Sequence, residues 1–189
     1  MPYRSVEFCA GQHYHFYNRG NNFLPVFFER ENYLYFLRQA RQYLATQALD
    51  IVAYCLMPTH YHLLVYLRVD DPSRPMQKLA LSYTKAVNKR YTRIGALFQG
   101  RFKAALVDRD EYLLHLSRYI HLHPVMAGLV QHAQDWEFSS YPEYIGVRAG
   151  TLPRPNAVLS MFPSANAYRT FVESYVEGDG RIVEHLVLD

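Results

Sequence analysis

His60 and His62 stand two residues apart in the stretch MPTHYHLLVYL, just after a Pro-Thr turn. In a strand, side chains at i and i+2 point to one face, so this spacing sets two imidazoles side by side. Such a pair can ligate one divalent cation. It can equally be two hydrogen-bonded histidines on a half-buried strand. Further along, His115, Tyr119 and His123 recur at intervals of four, with Tyr112 nearby. On an α-helix these form one stripe. Leu113, Leu116 and Ile120 form an adjacent apolar stripe that would hold the helix against a sheet. Tyr119 then falls at the border between core and open surface. A tyrosine there is either a nucleophile or a packed ring with a wet hydroxyl. The chain has 17 tyrosines, so composition alone singles out none of them.

A third feature is electrostatic. From Pro72 to Val107 the chain carries no Asp or Glu, while 8 of its 20 Lys and Arg fall there. Arg74, Lys78, Lys85, Lys89, Arg90, Arg93, Arg101 and Lys103 make up that block. It reads as a footprint for polyanions. The alternative is a solvated helix face, although such faces usually mix signs to gain i,i+4 pairs. Phe98 and Phe102 lie in the same segment, either to stack on bases or to fill the core. Asn18 and Arg19, which end the first strand, are candidates to join the footprint.

The elements that must position these residues can be read from periodicity. HYHFYNRG alternates and ends at a glycine, a first strand. Apolar residues at helical spacing predict a helix over 27–48. Two β-rich runs, 50–58 and 60–69, predict a hairpin that puts His60 and His62 on one face and Leu63 and Val65 on the other. A second helix follows over 73–93, with Pro75 in its first turn, then a loop and a strand over 101–107. The third helix is expected over 108–123, opened by an Asp108/Glu111 capping box and stopped by Pro124. The order is βαββαβα, which predicts an α+β fold: a ferredoxin-like antiparallel sheet with helices on one face. On that reading the imidazoles look onto the open face. Residues 1–148 form the expected domain, and 149–189 an extension with a helix near 166–176.

With 189 residues, half of them hydrophobic, the chain suffices for one core. No apolar run approaches the ~18 residues of a membrane span, and no signal-peptide stretch opens the sequence. Cys9 and Cys55 lie outside any CxxC. A reducing, cytoplasmic setting is expected.

Taken together, MPTHYHLLVYL, HYHFYNRGNN, DWEFSSYPEYIG and the run GALFQGRFKAALVDRDEYLLHLSRYIHLHPVMAGLV resemble the REP-associated tyrosine transposases, single-tyrosine HUH nucleases. The likeness spans about residues 13 to 146. It implies that His60 and His62 are metal ligands and that Tyr119 is the catalytic tyrosine. The position four residues later is usually Asn or Gln in that family. Here it is His123, which can ligate and would alter the metal preference. The implied activity is metal-dependent cleavage and strand transfer on single-stranded, hairpin-forming palindromic DNA, through a 5′-phosphotyrosine. Magnesium or manganese is the expected ion, with softer metals admitted by His123. DNA contacts are expected from Asn18, Arg19, Lys85, Lys89, Arg90, Arg93, Arg101 and Lys103, on a monomer or homodimer with no membrane partner. Two alternatives stay open: a non-catalytic nucleic-acid-binding protein that retains the fold, and a hydrolase whose His-bound metal activates water. The latter would not need Tyr119.

Overall fold

The computed structural model describes residues 6–187. Strand β1 (His13–Arg19) runs into a tight turn at Asn21–Phe23, then helix α1 (Arg30–Ala40), which ends in one π-helical turn, Arg41–Ala45. The hairpin β2 (Leu49–Met57) and β3 (His60–Leu67) precedes helix α2 (Ser73–Arg90). Strand β4 (Lys103–Val107) and helix α3 (Asp110–Met126) complete the expected order. Short helices α4 (Tyr141–Tyr144) and α5 (Asn156–Leu159), helix α6 (Ala165–Glu173) and a 3-10 segment (Glu177–Leu186) follow.

The four strands form one antiparallel sheet in the order β2-β3-β1-β4. This is the ferredoxin-like arrangement. Tyr17 pairs with His62 and Arg19 with His60 across β1 and β3, so odd positions of β1 share the histidines' face. The opposite face carries Phe16, Leu63 and Val65, and it buries them under Phe36 of α1 and Met76, Leu79 and Tyr83 of α2. Truncating Phe36, fully buried there, would cost roughly 3–5 kcal/mol.

The histidine face differs from expectation. It is not fully open, because α3 and the C-terminal elements pack on it. A β-bulge between Ile51 and Ala53 adds to the apolar surface on that side. One extra residue reverses the alternation of β2. Ile51 stays with the α1 and α2 core, whereas Ala53, Cys55 and Met57 turn to the other side. There they form the floor on which Leu113, Leu116 and Ile120 of α3 rest.

Two expected boundaries are corrected. Arg109, in extended conformation, is the N-cap of α3, and no side chain caps it, so the Asp108/Glu111 box does not form. Asp110 and Glu111 in the first turn still favour the helix through its dipole. Nor does the helix stop at His123. It runs to Met126 with Pro124 inside. Pro124 is buried against neighbouring elements, and such packing offsets the lost amide hydrogen bond. The first helix is also shorter than predicted, because Glu29 is extended and closes a capping box with Asn32. Phe27 and Phe28 therefore stay outside it.

The C-terminal elements are tied to α3 by polar groups as well as apolar ones. His121, fully buried, has Nδ1 2.7 Å from the Tyr168 hydroxyl and Nε2 2.8 Å from Ser140 Oγ. Arg118 donates to the Phe171 carbonyl at 3.0 Å and pairs with Asp179 at 2.9 Å. Burial pushes the His121 pKa down to about 3. Its pKa in an unfolded chain is near the ordinary 6.5. The unfolded state therefore binds the extra proton first, and stability falls as pH drops below 6.5. At pH 5 the loss from His121 alone should be about 2 kcal/mol. Urea unfolding of the metal-free protein at pH 7 and pH 5 should show at least that loss, since the lowered pKa of His62 acts in the same direction, and equal midpoints would contradict this account.

Candidate metal and DNA site

His60 and His62 project from the start of β3, and His123 reaches them from the last turn of α3. Nε2 of His60 and Nε2 of His123 are 2.9 Å apart. One candidate ligand atom from each of the three imidazoles lies within 4.8 Å of the others. Thr59 Oγ1 is 2.9 Å from His60 Nδ1 and fixes that ring from behind. His62 is buried, and its Nε2 is a buried atom with no hydrogen-bond partner in the protein.

These residues fit a cation. Burial, and then the nearby His123, His15 and His60, push the His62 pKa well below its ordinary value. The ring is therefore neutral near pH 7, the form that ligates metal. An orphaned buried nitrogen is costly unless something takes its lone pair. Two facing Nε2 atoms also need a proton or a cation between them.

Tyr119 stands at the edge of this cluster. Its ring centroid is 5.8 Å from that of His62 and 5.1 Å from that of His123. The i,i+4 spacing on α3 accounts for the second contact. Tyr119 is 5% exposed, so its ring is also part of the core under α3. His115, the first member of the stripe, is turned away from the cluster. Its ring packs on Phe171, and its Nδ1 accepts from Arg118.

Beside the histidines opens a cavity of about 410 Å³, lined in part by Tyr17, Asn18, Arg19, Arg101 and Lys103. No carboxylate is among its described lining residues. Asn18 is nearly buried, and it donates to the Gly100 carbonyl at 3.0 Å, holding the loop that carries Arg101. Lys103 sits over the Tyr17 ring at 5.9 Å. At the cavity mouth is Phe23, 66% exposed, with the Arg19 guanidinium 4.2 Å from its ring centre. Asn22 and Phe23 have φ values of 54° and 59°, a left-handed pair that non-glycine residues rarely adopt. Gly20 makes the turn possible, because a Cβ there would meet the Leu24 carbonyl oxygen at 1.9 Å. Strained backbone of this kind clusters at functional sites.

The basic residues divide into two groups. Arg19, Arg101 and Lys103 flank the histidines. Lys85, Lys89 and Arg90 lie on α2, across the sheet. Arg90 is paired with Glu29, an acid outside the acid-free segment, and Arg93 lies 5.5 Å above Phe28. Phe98 and Phe102 are 7% and 8% exposed and belong to the core. The exposed ring at the cavity is Phe23, which the sequence reading did not pick out. Its signal was the Gly-Asn-Asn run before it, since Asn tolerates left-handed backbone.

A family model described as "Transposase IS200 like" matches residues 10–123, more than half of the chain and the span that holds the whole site. The chain belongs to the IS200-like transposase family. A relative from Haemophilus influenzae, named as a REP-associated tyrosine transposase, is 30% identical to this chain over 105 residues. The match covers 49% of this chain and 58% of that protein, less than two thirds of its length. A solved structure of a REP-associated tyrosine transposase bound to a REP hairpin superposes with a TM-score of 0.66 at 19% identity. That alignment covers 80% of this chain and 93% of the other, a likeness of fold.

Proposed function

We propose that this IS200-like transposase is a divalent-metal-dependent nuclease and strand transferase for single-stranded, hairpin-forming repeat DNA. The observation that carries the reading is the meeting of His60, His62 and His123 with the Tyr119 ring, beside an acid-free cavity lined by three cations. The names of the relative and of the structural neighbour support the choice of repeat DNA as substrate. The domain at 1–148 would carry the chemistry, with 149–189 as its extension.

In this mechanism Tyr119 supplies the nucleophile. Its phenolic oxygen attacks phosphorus, the P–O3′ bond breaks, and the phenol proton is lost. The products are a 5′-phosphotyrosine and a 3′-hydroxyl, which takes up a proton. Phosphodiester energy is kept in the adduct, so a later 3′-hydroxyl can reseal the strand. A cation held by the three imidazoles, magnesium or manganese, would polarise a non-bridging oxygen and orient the scissile bond. Arg19, Arg101 and Lys103 would hold the flanking phosphates, and Phe23 offers a ring for an unpaired base.

The test is incubation with manganese and a hairpin oligonucleotide bearing single-stranded flanks. A denaturation-resistant protein–DNA adduct and a free 3′-hydroxyl fragment are expected. Release of both strands with no adduct would instead favour a hydrolase that activates water. Salt dependence locates the DNA path. Alanine at Arg19, Arg101 or Lys103 should each flatten the slope of log affinity against log salt by about 0.7 on single strands. Alanine at Lys85 or Lys89 should change it less. Equal flattening by both groups would extend the path onto α2.

A further inference from the structure

His15 is fully buried on β1, on the same sheet face as His62. Its Nδ1 lies 2.8 Å from the Leu186 carbonyl oxygen, and its Nε2 lies 3.0 Å from His62 Nδ1. The two rings are nearly parallel, 15° apart. Hydrogen-bond direction follows from chemistry. A carbonyl oxygen only accepts, so His15 Nδ1 carries the hydrogen. With the His15 ring uncharged, it holds one N–H, which leaves Nε2 bare. Two bare nitrogens cannot bond at 3.0 Å, so His62 Nδ1 must donate. His62 Nε2 is then the bare nitrogen, and it is the orphaned buried atom of a ring whose centroid lies 5.0 Å from that of His60 and 4.8 Å from that of His123.

We infer that His15 is a positioning residue: the chain Leu186–His15–His62 sets the tautomer of His62 and aims its Nε2 lone pair at the metal position. The inference rests on the metal reading proposed above. Metal-bound histidines usually donate their other ring N–H to an acceptor that fixes tautomer and orientation. Here the acceptor is a second histidine, itself set by a main-chain carbonyl. An imidazole in water favours the hydrogen on Nε2, the tautomer that cannot ligate through that atom. Without His15, metal binding would have to overcome that preference and a free rotation of the ring. The Leu186 carbonyl lies in the C-terminal 3-10 segment, so the extension contributes one atom to the site's geometry.

The decisive measurement is a long-range proton–nitrogen spectrum of the metal-free protein. It is expected to show His62 with its hydrogen on Nδ1. In parallel, cobalt(II) is titrated into the wild type, His15→Leu and His15→Gln, with fold checked by thermal unfolding. Leucine removes the acceptor and should weaken cobalt binding by roughly ten- to hundredfold. Glutamine can place its Oε1 where Nε2 was, so it should recover most of the loss, which a purely structural defect would not predict. His62 with its hydrogen on Nε2 in the wild type overturns the inference. So does a folded His15→Leu variant that binds cobalt as tightly as the wild type. If the wild type binds no divalent ion while His62 still holds its hydrogen on Nδ1, the relay stands and the metal reading fails. The spectrum decides even if His15→Leu does not fold.

Discussion

Tyr119→Phe will yield no covalent protein–DNA adduct and no cleaved strand, in a protein that folds as before. The ring is 5% exposed and packed under α3, and phenylalanine keeps that packing. Losing the hydroxyl should cost about 1 kcal/mol of stability. Binding should change little, because Arg19, Arg101 and Lys103 are intact. Affinity and chemistry thus separate. A gel of denatured reaction products reads the adduct, and a filter-binding series reads the affinity. An adduct in the phenylalanine variant would move the nucleophile to another group, and Tyr17, which lines the cavity, would be tested next. Retained cleavage with no adduct in either protein would favour metal-activated water.

The helix stripe was readable because it is local. Four residues separate Tyr119 from His123, and helix geometry alone brings their rings to 5.1 Å. The hairpin was readable for the same reason: a short turn forces β2 and β3 together, and alternation then assigns His60 and His62 a face. What could not be read depends on register between distant segments. The bulge at Val52 decides that Ala53 and Cys55 lie beneath α3, yet a run of apolar residues carries no mark of a one-residue slip. Glu29 meets Arg90 only because α1 and α2 are neighbours, so the acid-free block looked freer than it is. His15 was visible as part of an alternating strand, but its bond to Leu186 joins residues 171 apart. Phe98 and Phe102 were ambiguous between stacking and core, and contact with the α1 and α2 side settles them as core.

His62→Ala will abolish metal-supported cleavage, and His123→Asn will change which metal supports it. His62 contributes the buried, unpartnered Nε2 to the cluster, and alanine leaves two imidazoles and a void in its place. Lewis-acid stabilisation of a phosphoryl transition state is worth several kcal/mol, so its loss should slow cleavage on the order of a thousandfold or more. His123 is the subtler member. Its Nε2 is 2.9 Å from that of His60, near enough for both to serve one ion. Three imidazoles make a softer set than two imidazoles with an amide oxygen, which shifts preference from magnesium toward manganese, cobalt, nickel or zinc. A tight zinc complex can bind well and still react slowly, so binding and cleavage are measured apart. Asparagine at 123 should weaken manganese binding and keep or improve cleavage with magnesium. The competing account makes His123 a cation at the C-terminal end of α3, stabilised by the helix dipole. That account predicts equal metal affinities in wild type and His123→Asn, together with a loss of helix stability in the variant at low pH. Titration of manganese and magnesium into both proteins, read by calorimetry, separates the two.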